Sequence, residues 1–185
     1  MPTHGNSVAG GMRSTTILAV RHRGATVVAG DGQVTMEATV IKHGAKKVRR
    51  IYNDRIVVGI AGATADAMAL SERLESKLER YNGSLTRAAV ELAREWRTDK
   101  YLKKLEALMI AADREVMYLI SGNGDVIEPD APVLAVGSGS VAARAAALAL
   151  VDHSDLDAAG IAKAAMDIAA SICVYTNNQI TVEEL

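Results

Sequence analysis

Phenylalanine is absent from these 185 residues, and the whole aromatic content is five Tyr and one Trp. A core without it rests on Ala, Val, Ile and Leu, which suits closely packed sheets and helices and leaves room for help from subunit contacts. A single cysteine, Cys173, excludes an internal disulfide framework and fits a reducing compartment, here the cytoplasm. No apolar run approaches the ~20 residues of a membrane span. Neither sign of charge is in excess: 21 Lys and Arg stand against 22 Asp and Glu. That balance argues against a dedicated nucleic-acid binder, which needs a basic surplus. No G-x-x-x-x-G-K-[ST] occurs, so the chain does not hold ATP by a P-loop.

What is present is ordinary for a globular chain, with 49% hydrophobic and 23% charged residues. The length predicts one domain, large enough to bury roughly 70% of its unfolded surface. Residues 1–14, MPTHGNSVAGGMRS, differ from the rest and lack the apolar stretch of a secretory signal. They read as a disordered tail or as a pro-segment that is cut off, and a start at Met12 would leave a three-residue leader.

Strands begin at Thr15. TTILAVR and ATVVAG flank an HRG turn, VTMEATVIK reads as a weaker hairpin, and KKVRRIY and RIVVGIAG flank Asn53-Asp54. Two helices follow. Ala67, Leu70, Leu74, Leu78 and Tyr81 make the stripe of the first. Leu85, Ala88, Ala89, Leu92 and Trp96 make that of the second, with Leu102 and Leu105 further on and Ser84 as its N-cap. ALMIAA, EVMYLIS, DVIEP and VLAVGSG return to strand. A third helix spans about 140–151, a fourth follows Asp155 or Asp157, and QITVEEL closes as a strand. Blocks of strands and blocks of helices predict an α+β fold, a four-layer αββα sandwich with helices outside.

Most apparent motifs point nowhere. Gly137-Ser138-Gly139-Ser140-Val141-Ala142 matches a dinucleotide fingerprint but lacks the acidic residue at the end of a following strand, so it reads as a tight strand-to-helix turn. His4, His22, His43 and His153 have no metal-ligand spacing with one another or with Cys173. Lys46 to Arg50 is a basic cluster split by strand alternation, with Lys47, Arg49 and Ile51 on one face, so that a basic group can point inward. Thr15 has a blander and a sharper reading. It simply starts a strand, or, if the leader is cut, it carries its own α-amine, whose pKa near ~8 lets it serve as a base for its own hydroxyl.

The blocks STTILAV, AGDGQVT, KKVRRIYNDRIVVGIAGATADA, ELAREWRTDKYLKKLEALMIAAD, SGNGDVIEP, AVGSGS and ICVYTNNQITVEEL bear on that choice. Together they resemble the HslV (ClpQ) family of bacterial proteasome-related threonine peptidases over everything from Thr15 to Leu185. The resemblance implies the N-terminal-nucleophile hydrolase sandwich and removal of residues 1–14. It implies Thr15 as nucleophile, Asp31 and Lys47 as its charged partners, Gly62 as oxyanion donor and Ser138 in a supporting loop, where GSGS departs from the family's GSGG. It also implies a monovalent cation, sodium in most members, held by the backbone carbonyls of Ala170, Cys173 and Thr176, with Ala170 standing where the family has glycine. The implied partners are an HslU (ClpY) ATPase hexamer, further copies of this chain in two stacked six-membered rings, and unfolded protein substrates. From the residues alone two other readings stay open: an amidohydrolase of the same fold acting on a small amide, and a non-catalytic ring subunit.

Overall fold

The computed structural model describes residues 15–185, and the expected pro-segment, residues 1–14, lies outside them. Strand β1 (Thr16–His22) turns through Arg23 and Gly24, both at positive φ, into β2 (Ala25–Gly30). Two such residues make the hairpin turn whose twist matches its strands. Strands β3 (Val34–Met36) and β4 (Thr39–Lys42) form a small separate hairpin. Next come β5 (Val48–Ile51), β6 (Ile56–Ala61), β7 (Leu108–Ala112), β8 (Met117–Ser121) and β9 (Val126–Ile127), which make one antiparallel sheet in chain order. Strands β10 (Val133–Gly137) and β11 (Thr181–Glu184) complete the other sheet, in the order β10-β1-β2-β11.

Period-two alternation explains how the layers stack. Ile17, Ala19 and Val28 point between the sheets, against Val57, Ile110, Ala112 and Met117. Their neighbours Leu18, Val20, Val27 and Ala29 point the other way, onto α3 (Ser140–His153) and α4 (Ala158–Ile172). On the far side Val58, Ile60, Met109, Ala111 and Ile120 face Leu70, Leu74 and Leu78 of α1 (Thr64–Arg80) and Leu92 and Trp96 of α2 (Leu85–Thr98). The result is the predicted αββα sandwich, with strands apolar on both faces because both faces are covered. Small residues set the sheet spacing: a Cβ on Gly59 would lie 2.4 Å from Ile17 Cγ2. Fully burying a Leu or Ile is worth about 1.5–3 kcal/mol, and close approach lets a core without phenylalanine collect that term many times.

Some local expectations need correction. The second helix stops at Thr98, and Leu102 lies in a separate 3-10 turn over Leu102–Lys104. The Asp99 carboxylate accepts the N–H groups of Tyr101 and Leu102, at 2.8 and 2.9 Å, which turns the chain out of the helix. Ser84 stands at the N-cap of α2, yet its side chain makes no cap hydrogen bond; its backbone carbonyl accepts the Ala88 N–H instead. Of the two candidates before α4, Asp157 is the cap, accepting the Gly160 N–H at 2.7 Å. Other expectations hold: Lys47, just before β5, and Arg49 line one cleft with Val58 and Ile60, against which Ile51 also packs, while Val48 faces the other way, and Lys47 is the basic group that points inward. Among the described residues no helix is long and apolar enough to cross a membrane.

Candidate active site

The site is assembled where β1 begins. Thr15 is 5% exposed and stands just before the strand. Its carbonyl accepts the backbone N–H of Ser138 at 2.8 Å, which pins it to the end of β10. Gly137 makes that approach possible: it has φ +97°, and a Cβ there would sit 1.8 Å from the Thr15 carbonyl oxygen. Ser138 therefore contributes its backbone, and its residue is otherwise exposed and outside the cleft wall among the described residues.

Asp31 follows directly on β2 and is wholly buried. Its Oδ1 accepts the Thr16 N–H at 2.8 Å and the Lys47 ammonium at 2.9 Å. Its Oδ2 accepts the Gln33 N–H at 3.0 Å and, more distantly, the Asn177 N–H at 3.4 Å. The Lys47 Nζ also donates to the Gln33 carbonyl at 2.5 Å. The Lys47 side chain is only 9% exposed, so this is a buried ion pair. Such pairs add little net stability against an apolar alternative, while losing one partner costs about 3–5 kcal/mol. Burial pushes the Lys47 ammonium below the ordinary lysine range, although Asp31 pulls it back through charge and hydrogen bonding. A buried lysine shifted in this way beside a cleft marks a candidate for chemistry.

That cleft has a volume of about 260 Å³. Thr15, Lys47 and Gly62 line it together, with Val34, Ala45, Val58, Ile60 and Ala67 as apolar wall and Arg49 and Lys46 at its edge. The sequence-predicted Thr15, Lys47 and Gly62 thus meet at one surface, with Asp31 behind them. Chemically this offers a hydroxyl, a neighbouring cation and a backbone N–H beside an apolar recess.

The expected cation ligands lie in the last turn of α4 and just beyond its C-terminus. Cys173 is the C-cap of that helix, and its carbonyl accepts the Thr176 N–H at 3.0 Å. Ala170 and Thr176 line one surface depression with Asp167, Ser171, Asn177 and Asn178; Cys173 is not part of that lining among the described residues. The donor chemistry fits a hard monovalent cation: carbonyl oxygens at a helix C-terminus lack intrahelical partners and carry partial negative charge. The Thr176 N–H occupies one lone pair of the Cys173 carbonyl oxygen and leaves the second.

Sequence reasoning missed two residues that shape the centre. Gln33 donates its side-chain amide to Thr35 and to the Val174 carbonyl, both at 2.9 Å. Asn177 reaches the Asp31-Gly32 turn from the loop after α4. No spacing signal marks either, because the contacts that tie them to the loop after α4 or to the Asp31 turn join residues more than 130 apart. Thr16, noticed only as half of a Thr-Thr pair, bonds its hydroxyl to Thr176 Oγ1 at 2.7 Å and accepts the Gly139 N–H at 2.8 Å.

Comparison with known proteins gives the family. The family model described as Proteasome subunit matches residues 12–185. The ATP-dependent protease subunit HslV of Sulfurihydrogenibium sp. is 59% identical over 174 residues, covering 94% of this chain and 98% of that protein. The protein of the same name from Aquifex aeolicus is 58% identical, covering 94% of this chain and 99% of its own length. Among solved structures, the eukaryotic HslV of Trypanosoma brucei superposes with a TM-score of 0.88 at 49% identity, over 92% of this chain and 98% of that one. The chain belongs to the proteasome family and, within it, to the HslV group of ATP-dependent protease subunits.

Proposed function

We propose that this subunit cleaves peptide bonds with Thr15 as an N-terminal nucleophile, after residues 1–14 have been removed. The observation that carries the reading is the buried Lys47–Asp31 pair, 2.9 Å apart, at the floor of the cleft that Thr15 lines. Cleavage after Ser14 frees the Thr15 α-amine. That amine takes the proton of Thr15 Oγ1, which attacks the peptide carbonyl, and the methyl group limits χ1 and so aims the hydroxyl. The Lys47 ammonium keeps the α-amine in its neutral, basic form by like-charge repulsion, and Asp31 holds Lys47 in place. The Gly62 N–H takes up the charge that develops on the carbonyl oxygen, a contribution of about 3 kcal/mol for such a donor. The C–N bond breaks as the amine returns the proton to the leaving group. Water then hydrolyses the Thr15 ester by the same base. Ser138 supports this by anchoring the Thr15 carbonyl through its backbone.

The carbonyls of Ala170, Cys173 and Thr176 would hold a sodium or potassium ion, whose charge satisfies the free oxygens where α4 ends. In the cytoplasm the subunit works inside two stacked six-membered rings of this chain. Unfolded protein reaches it from an HslU-type ATPase hexamer, which supplies the ATP hydrolysis. Exposed Ile172 and Val174, 68% and 80% accessible at the end of α4, support an assembly that covers them.

The test is paired. Intact mass of the active protein is expected to show Thr15 as first residue. Thr15→Ala is expected to remove peptide hydrolysis entirely while the assembly persists. Hydrolysis retained by the Thr15→Ala protein, or an active protein beginning at Met1 or Ser14, would overturn the assignment.

A further inference from the structure

The loop between α4 and β11 belongs to neither sheet, yet it reaches the centre at several points. Asn177 is its hub. Its side-chain Oδ1 accepts the Gly32 N–H at 3.1 Å and the Gln179 N–H at 3.2 Å. Its Nδ2 donates to the His43 carbonyl at 2.9 Å. Its backbone N–H lies 3.4 Å from Asp31 Oδ2. Gly32 follows Asp31, and His43 opens the short segment that leads to Lys47. One amide group therefore spans the two pieces of chain that carry the two members of the buried ion pair. A single backbone hydrogen bond, Ala45 N–H to the Gly32 carbonyl at 2.9 Å, joins the same two pieces directly.

Two residues just before Asn177 add to the grip. Thr176 meets the Thr16 hydroxyl at 2.7 Å, and the Val174 carbonyl receives the Gln33 amide at 2.9 Å. Thr16 and Gln33 are themselves donors to Asp31. So the loop touches the Asp31 surroundings at Val174, Thr176 and Asn177, none of which lines the cleft.

We propose that Asn177 is a positioning residue that fixes the distance between Asp31 and Lys47, and through it the alignment of Lys47 beside Thr15. Among the described residues it stands outside the lining of the cleft that Thr15 faces. Its loss therefore loosens the charged pair without altering the apolar recess that binds the peptide. The proposal rests on Thr15, Asp31 and Lys47 being the peptidase centre.

Two substitutions separate its parts. Asn177→Ala removes all three side-chain bonds, to Gly32, Gln179 and His43. Asn177→Asp keeps the shape and the acceptor for Gly32 but loses the donor to His43. In the assembled, processed protein, Asn177→Ala is expected to lower kcat by about 10–100-fold with KM within about threefold of wild type. Asn177→Asp, which retains the acceptor ties, is expected to fall between the two. A peptide electrophile that labels the N-terminal threonine, read by mass, should react correspondingly more slowly with both variants. If wild type itself is not labelled on Thr15, the reading of the centre fails. If wild type is labelled and both variants keep its kcat and labelling rate, the positioning role fails. A rise in KM at constant kcat, or loss of assembly in both variants, would also overturn it, since the loop would then serve binding or folding alone.

Discussion

Lys47 is drawn in two directions, since burial favours the neutral amine and Asp31 the ammonium, and burial prevails. The folded chain therefore holds this proton less firmly than the unfolded chain does. The sign of the linkage follows: this group opposes folding at neutral pH, and the penalty is relieved as pH climbs from its folded pKa toward the ordinary lysine range. A mature Thr15 ammonium alongside would push Lys47 further the same way. Activity should respond on the alkaline side. The wild-type pH–kcat profile is expected to fall below the ordinary lysine range as Lys47 loses its charge, whereas Lys47→Arg should lack that limb because a guanidinium stays protonated. Lys47→Ala should lower kcat by at least ~10²-fold at neutral pH, by removing a charge aimed at the reacting group. A profile identical in wild type and Lys47→Arg would show that another group sets the limb.

At the scale of elements, α4 illustrates what a helix end can do. Its start is conventional: Asp157 caps the Gly160 N–H, and Asp157→Ala is expected to lower stability by about 1 kcal/mol, measurable by urea unfolding, without affecting kcat. Its other end leads into the loop that carries Thr176 and Asn177 to the centre. The same contrast marks what was legible in the sequence. The strands and helices could be read because alternation at Ile17 to Val20 and the spacing of Leu70, Leu74 and Leu78 are local signals that burial then satisfied. Thr15, Asp31, Lys47 and Gly62 were identified through family resemblance, and the fold brings Thr15, Lys47 and Gly62 to one cleft with Asp31 behind them. The N-cap hydrogen bond expected of Ser84 failed because helix start signals specify position better than side-chain geometry. Asn177 was invisible because its partners, Gly32 and His43, lie more than a hundred residues away and offer only backbone groups. A residue that reads backbone leaves no trace in the identity of its partners.

For the whole molecule, the exposed apolar side chains are a statement about company. Ile168, Ile172, Val174 and Tyr175 cluster in sequence at the end of α4, each at least 38% exposed. Sedimentation is expected to give a mass several times the 19.5 kDa of one chain, and Ile172→Asp is expected to shift the protein toward smaller species with parallel loss of peptidase activity. A monomeric wild type that retained full activity would contradict it. The sheet order β10-β1-β2-β11 carries a consequence in time. The strand that Thr15 precedes emerges from the ribosome first, but β11 on the sheet's far edge and the Thr176 that grips Thr16 emerge last, 160 residues later. At about 5–20 residues per second that interval is roughly ten to thirty seconds. Throughout it Asp31 lacks its Asn177 donor, and β2 has an open edge where β11 will pair. A nascent chain therefore cannot complete its own centre. The fold leaves the last ties of the site to the end of synthesis, so that the order of the chain is also the order in which the centre is fastened.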